Sequence, residues 1–195
     1  LHPRMALHSL LAALAARGVQ VMADAPPKGA EVWATGWQGL GSMSQGRSRV
    51  MGAGVKGQAL SLAYDAGPVP QVFAEGLHIV PQADGTCAIG STSERDFDDP
   101  ASTDAQCDAL RVRAEQTLPQ LQGVPEVSRW AGVRPRARSR APMLGPWPDR
   151  PGHFVANGGF KIGFGMAPKV AEALADLIVD NRDTIPDAFR VEASF

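Results

Sequence analysis

The residues of this chain with the clearest chemical use are glycines. Gly158, Gly159, Gly163 and Gly165 fall together just ahead of a segment that reads as a helix. Glycines lack a Cβ and let backbone approach a ligand closely, and a helix start presents unpaired N–H donors at the positive end of its dipole. That combination can stabilise an anion, although a plain strand-to-helix turn accounts for the same spacing equally well. A second run, Gly52-Ala53-Gly54-Val55-Lys56-Gly57, satisfies the G-x-G-x-x-G pattern formally. The pattern holds a pyrophosphate only where a strand precedes it and a helix follows. Here Gln58 to Tyr64 alternates like a strand, and Pro68 and Pro70 then forbid a helix, so the run is expected to be a flexible lead into a strand.

Other chemistries find less footing. No serine sits in a G-x-S-x-G elbow, and His2, His8, His78 and His153 are scattered without a partner pattern, so a hydrolase is not indicated. Asp96, Asp98 and Asp99 read as a solvated turn rather than a metal site. Cys87 and Cys107 lack Cys-x-x-Cys spacing and are expected to be two reduced thiols.

The elements that must position these residues follow from periodicity and punctuation. Leu7, Leu10, Leu11 and Leu14 predict a helix over 5–17 that Gly18 stops. A turn is expected at Pro26 and Pro27, a short strand over Glu31–Thr35 ended by Gly36, and then a loop rich in Gly and Ser. Short runs at 55–64, 72–75, 77–82 and 86–91, with Asp84-Gly85 as a hairpin signal, predict an antiparallel meander. Ser102, Thr103 and Asp104 offer caps for a helix carrying Leu110, Ala114 and Leu118 that Pro119 ends. Residues 126–133 return to an extended pattern, 153–156 form a further strand, and Pro168 is expected to open a last helix running to about Asp180. Its buried face would be Val170, Leu174, Leu177 and Ile178, and the final residues read as a tail.

Composition narrows the setting. The 195 residues are 44% hydrophobic, enough for one sizeable core, and carry a formal charge of −1. No single-sign run marks a nucleic-acid or membrane-surface partner, and the apolar stretch 5–16 is too short to span a bilayer. A cytoplasmic protein acting on a small molecule is the expectation. The chain opens at Leu1 and enters a helical pattern almost at once, which reads as a piece of something longer.

Several segments together resemble the FAD-dependent oxidoreductase family that contains glycine oxidase, sarcosine oxidase and D-amino-acid oxidase. They are His2-Pro3-Arg4 running into a helix, Val32-Trp33-Ala34-Thr35-Gly36, Val55-Lys56-Gly57-Gln58, and His78-Ile79-Val80-Pro81 with Asp84-Gly85 and Ile89-Gly90. The most specific are Trp130-Ala131-Gly132-Val133-Arg134-Pro135, Pro142-Met143-Leu144-Gly145, and Gly159-Phe160-Lys161 leading to Ala167-Pro168, and their order covers most of the chain.

The resemblance implies an α+β fold: a mostly antiparallel substrate-domain sheet joined to the C-terminal portion of an FAD-binding domain. Residues 1–50 and 136–195 would belong to the cofactor side and 51–135 to the substrate side. It implies FAD as cofactor, with contacts from Ala34, Thr35, Gly36, Arg134, Gly159, Gly163, Phe164, Gly165 and Met166. It implies dehydrogenation at the carbon beside an amine, in a glycine-, sarcosine- or D-amino-acid-like substrate, with Arg134, Lys161 and His78 as catalytic candidates. An arginine stands in the glycine-oxidase pattern where this chain has Lys161, which can neutralise a carboxylate but cannot grip it bidentately. The alternative for Arg134 is a brace of the sheet, and for His78, where relatives carry a pocket tyrosine, an outward-facing strand position. An N-terminal strand, glycine loop and acidic ribose contact are not found here, so the expected partner is the N-terminal half of the same protein. Homo-oligomers are compatible with the resemblance, and a non-catalytic binding or interaction module of the same fold is the alternative.

Overall fold

Glycine and proline divide the chain into short elements, and in the computed structural model, which describes residues 2–26 and 28–195, these gather into two units. Of the turn expected at Pro26 and Pro27, Pro27 lies outside the described residues.

The first unit comprises Leu1–Pro26, Gln58–Thr92 and Ala101–Ala131. Helix α1 spans Pro3–Ala16, and the His2 ring accepts a hydrogen bond from the Met5 amide at 3.3 Å. Gly18 follows in the left-handed region (φ 74°), where a Cβ would be penalised. The apolar positions of α1 are at the predicted helical spacing, yet none of its residues is buried. Strands β2 (Gly52–Leu62), β3 (Val72–Ala74), β4 (Leu77–Pro81), β5 (Cys87–Gly90) and β6 (Glu126–Ala137) form one sheet in the order β3-β4-β5-β2-β6. Asp84-Gly85 makes the expected hairpin, with Gly85 at φ 78° and Pro81 opposite Cys87. The run Gly52–Gly57 lies wholly inside β2, with no helix after it, as its flanks implied.

Asp104 caps α3 (Ala105–Thr117), its carboxylate accepting from the Gln106 amide at 2.9 Å. Cys107, Leu110 and Ala114 of α3 pack on Leu60, Leu62, Ile79 and Ile89 of the sheet. Each buried leucine or isoleucine there contributes about 2 kcal/mol of transfer free energy. Cys87 and Cys107 are free and buried, and desolvation pushes both thiols up.

The second unit comprises Pro27–Gly57, Ser93–Pro100 and Gly132–Phe195. Its sheet has the order β1-β8-β7: β1 (Glu31–Trp33) runs parallel to β8 (His153–Asn157), and β7 (Met143–Pro146) runs antiparallel to β8. The Gly/Ser stretch expected as a loop is instead helix α2 (Gly36–Ser44). Burial of Gly39, Leu40 and Met43 offsets the low propensity of its three glycines, and the Ser44 hydroxyl donates back to the Leu40 carbonyl at 2.6 Å. Helix α4 runs Gly163–Val179, so it starts ahead of Pro168 rather than at it. Pro168 therefore sits inside the helix, where it lacks the amide that would reach back to Phe164. The last residues are not a loose tail: Val191 and Ser194 are fully buried, and Ser194 donates to the Ser139 hydroxyl at 3.1 Å.

Candidate functional site

The residues most able to form a site belong to the second unit, where two chain turns and a strand converge. Strand β1 ends at Trp33, whose indole N–H donates to His153 Nδ1 at 2.8 Å and pins β1 along β8. The chain then turns through Gly36 (φ 63°) into α2. Strand β8 ends at Asn157 and turns through Gly158 (φ 73°) toward α4, while β6 passes alongside, the Phe160 amide donating to the Pro135 carbonyl at 2.9 Å. Between these turns and α4 lies an open cavity of about 690 Å³. Its lining is apolar side chain and bare backbone: Val32, Leu144, Ala156, Ala171 and Leu174 among the former, Gly158, Gly159 and Gly163 among the latter. That volume is in the range of small-molecule and cofactor sites, which are commonly apolar with a few placed polar groups.

Besides Asn157, the polar groups here are backbone donors. By helix geometry the amides of Gly163, Phe164 and Gly165 have no acceptor inside α4, and Ile162 at the N-cap has no side-chain oxygen to offer. The Met166 amide is different, since it donates to the Ile162 carbonyl at 3.0 Å. A Cβ built on Gly159 would lie 2.7 Å from the Gly163 Cα, so glycine is required for the turn to meet the helix start. A Cβ on Gly163 or Gly165 would meet nothing within 4 Å, which leaves the first turn of α4 approachable.

Of the expected cofactor contacts, Ala34, Gly36, Gly159, Gly163 and Met166 line this cavity. Thr35, Phe164 and Gly165 adjoin it in sequence without lining it. Arg134 follows the alternation of β6: Pro135 lines the cavity, and the Arg134 side chain projects from the other face. There its guanidinium lies over Gly57, where a Cβ would fall 2.1 Å from Nη1. Burial lowers the Arg134 pKa and Glu94 opposes that shift, so a positive charge is held in a poorly solvated place. Lys56, itself buried, pairs with Glu94 at 3.9 Å. Lys161 is exposed, its ammonium 5.6 Å from the Phe160 ring centroid. His78 belongs to the first unit, on an exposed position of β4 with its ring 4.6 Å from that of Phe73.

Reading the sequence for this site missed α4's second face. Gly163, Ala167, Ala171 and Ala175 recur at every fourth position and line the cavity together with the buried Leu174, while Ala173 packs into the neighbouring core. That spacing of small residues was the available signal. Asn157 was also missed, as a lone polar residue at a strand end.

Among the described residues no helix is long and apolar enough to cross a membrane. The family profile described as "FAD dependent oxidoreductase" matches residues 1–177. The chain is 36% identical over 134 residues to the glycine oxidase of Pseudomonas aeruginosa, covering 68% of this chain and 36% of that protein. It is 34% identical over 139 residues to the glycine oxidase of Geobacillus kaustophilus, covering 68% of this chain and 36% of that protein. The crystal structure of a Geobacillus kaustophilus glycine oxidase superposes with a TM-score of 0.69 at 29% identity, over 81% of this chain and 43% of that one. At 19% identity, the structure of iminodiacetate oxidase from Chelativorans sp. shares the fold, with a TM-score of 0.70. The chain thus spans about 36% of the length of the curated relatives it matches.

Proposed function

The chain belongs to the FAD dependent oxidoreductase family, and from that premise we propose that its second unit forms part of the FAD site of an enzyme that dehydrogenates a small amine or amino acid. Glycine, sarcosine and D-amino acids represent the substrate class, by likeness to the glycine oxidases. The observation that carries the reading is the apolar cavity closed at one end by the start of α4.

The residues present fit a flat ring system with an electron-rich edge. Apolar side chains would cover its faces, and Gly159 and Gly163 remove the side chains that would obstruct a close approach. FAD, when bound, supplies the two-electron acceptor for oxidation at the carbon beside the amine. The protein's part is to hold negative charge where it gathers. The amides of Gly163, Phe164 and Gly165 and the dipole of α4 are oriented in advance and need not reorganise during the reaction. Met166 contributes its side chain to the wall, because its amide is already engaged. Ala34, Thr35 and Gly36 would hold the opposite rim.

Arg134, on the face of β6 away from the cavity, is assigned the buried positive charge facing the substrate carboxylate, and Lys161 an exposed cation that attracts carboxylate-bearing substrates. His78 is assigned a hydrogen bond to the substrate. In this reading residues 1–50 and 136–195 serve the cofactor side and 51–135 the substrate side, the rest of the cofactor contacts coming from the part of the relatives' length that this chain does not span. A cytoplasmic location and a homo-oligomeric state complete the proposal. The test is spectroscopic: the full-length protein should purify yellow, show flavin bands, and bleach under an amine substrate when oxygen is excluded. Colourless protein that refuses added FAD would refute the reading and leave a non-catalytic module.

A further inference from the structure

We propose that Asn157 is a positioning residue that sets the spacing of the two glycine turns walling the cavity, and thereby the affinity of the site for its cofactor. The proposal rests on the reading of that cavity as the cofactor site. Asn157 is buried at the end of β8, and both ends of its amide are used across the two walls. Its Nδ2 donates to the Gly36 carbonyl at 2.9 Å, and its Oδ1 accepts from the Gly158 amide at 2.8 Å. Gly36 and Gly158 are both left-handed, and both line the cavity. One side chain therefore joins the turn leaving β1 to the turn leaving β8.

The surroundings are shaped for that amide. A Cβ on Gly39 would lie 1.8 Å from Thr35 Oγ1 and 3.2 Å from Asn157 Nδ2, so the first turn of α2 is bare where the amide reaches in. A Cβ on Gly158 would lie 2.5 Å from the Ala137 Cβ, which holds the other turn against β6. Neither turn belongs to a continuous ladder at this point, because β1 ends at Trp33 and β8 at Asn157. Between β1 and β8 the side-chain bridge continues past the last backbone pair, Trp33 with Val155. The Gly36 carbonyl is part-buried, and losing the Asn157 donor removes a side-chain tie between the two turns, so the Gly36 turn would be freer to move.

Asn157→Asp separates the two bonds. The carboxylate can still accept from the Gly158 amide but places an oxygen against the Gly36 carbonyl. In the full-length protein this variant should bind FAD about tenfold more weakly, the loss of roughly one buried hydrogen bond. In the flavin-free protein the amides of 39–42 should exchange with solvent faster than in wild type, while those of α3 are unchanged. Asn157→Ala, which removes both bonds without adding a charge, should weaken FAD binding in the same direction, and thermal melts of both variants guard against a folding defect. A wild-type Kd in Asn157→Asp overturns the proposal even if exchange quickens. Unchanged exchange at 39–42 overturns it as well. Wild-type protein that takes up no flavin would instead refute the cofactor reading, and the exchange measurement still decides whether the bridge exists.

Discussion

Replacing Gly57 by alanine isolates the placement of one charge. The new Cβ would fall 2.1, 2.3 and 2.4 Å from Nη1, Nη2 and Cζ of Arg134. Ordinary carbon contacts lie at about 3.5 Å, so the guanidinium must retreat by more than about 1 Å. The colliding atoms are the far end of a flexible side chain, and alanine suits an extended strand at least as well as glycine, so folding should survive. A displacement of this size in a charge-bearing group can cost on the order of 100-fold in turnover. Gly57→Ala should therefore lower kcat/KM for an amino-acid substrate by about that factor, with Tm within a few degrees of wild type. Stopped-flow measurement of flavin reduction alongside a thermal melt distinguishes the two effects. Unchanged reduction kinetics in a folded, flavin-loaded variant would refute the idea that the seat of Arg134 matters to the reaction and leave it as a brace of the sheet.

Lys161→Met should raise KM for carboxylate-bearing substrates several-fold more than for neutral amines, because an exposed cation acts through attraction; equal effects on both, read from steady-state kinetics, would defeat that assignment. In the first unit, hydrogen bonding from Arg129 holds the Glu126 carboxyl below its ordinary range, at 2.7 and 2.9 Å. The folded pKa is depressed, so this contribution is complete above the unfolded carboxylate pKa and is lost as pH falls through the folded one. Glu126→Gln should consequently flatten the decline of Tm below about pH 4 while lowering Tm slightly at neutral pH, as differential scanning calorimetry at several pH values would register.

Local signals determined much of this protein from the sequence by itself. Gly18 stops α1, Asp84-Gly85 makes a hairpin, and Asp104 caps α3, because caps and turns depend on φ, ψ and hydrogen bonds within a few residues. The family was equally legible, since its motifs at Arg134-Pro135 and Gly159-Phe160-Lys161 are short and ordered along the chain. Tertiary structure decided what those rules cannot reach. Helix α2 forms despite three glycines because Leu40 and Met43 find a core, and α4 begins at Gly163 rather than Pro168 because the turn at Gly159 delivers the chain there. The end of the chain packs because Val191 has a buried place to fill. The site shows the same division. Its glycines were visible as types, but that Asn157 bridges Gly36 and Gly158, and that Gly57 makes room for Arg134, depends on residues distant in sequence and adjacent in space. Contacts of that kind are set by packing, which no local pattern encodes.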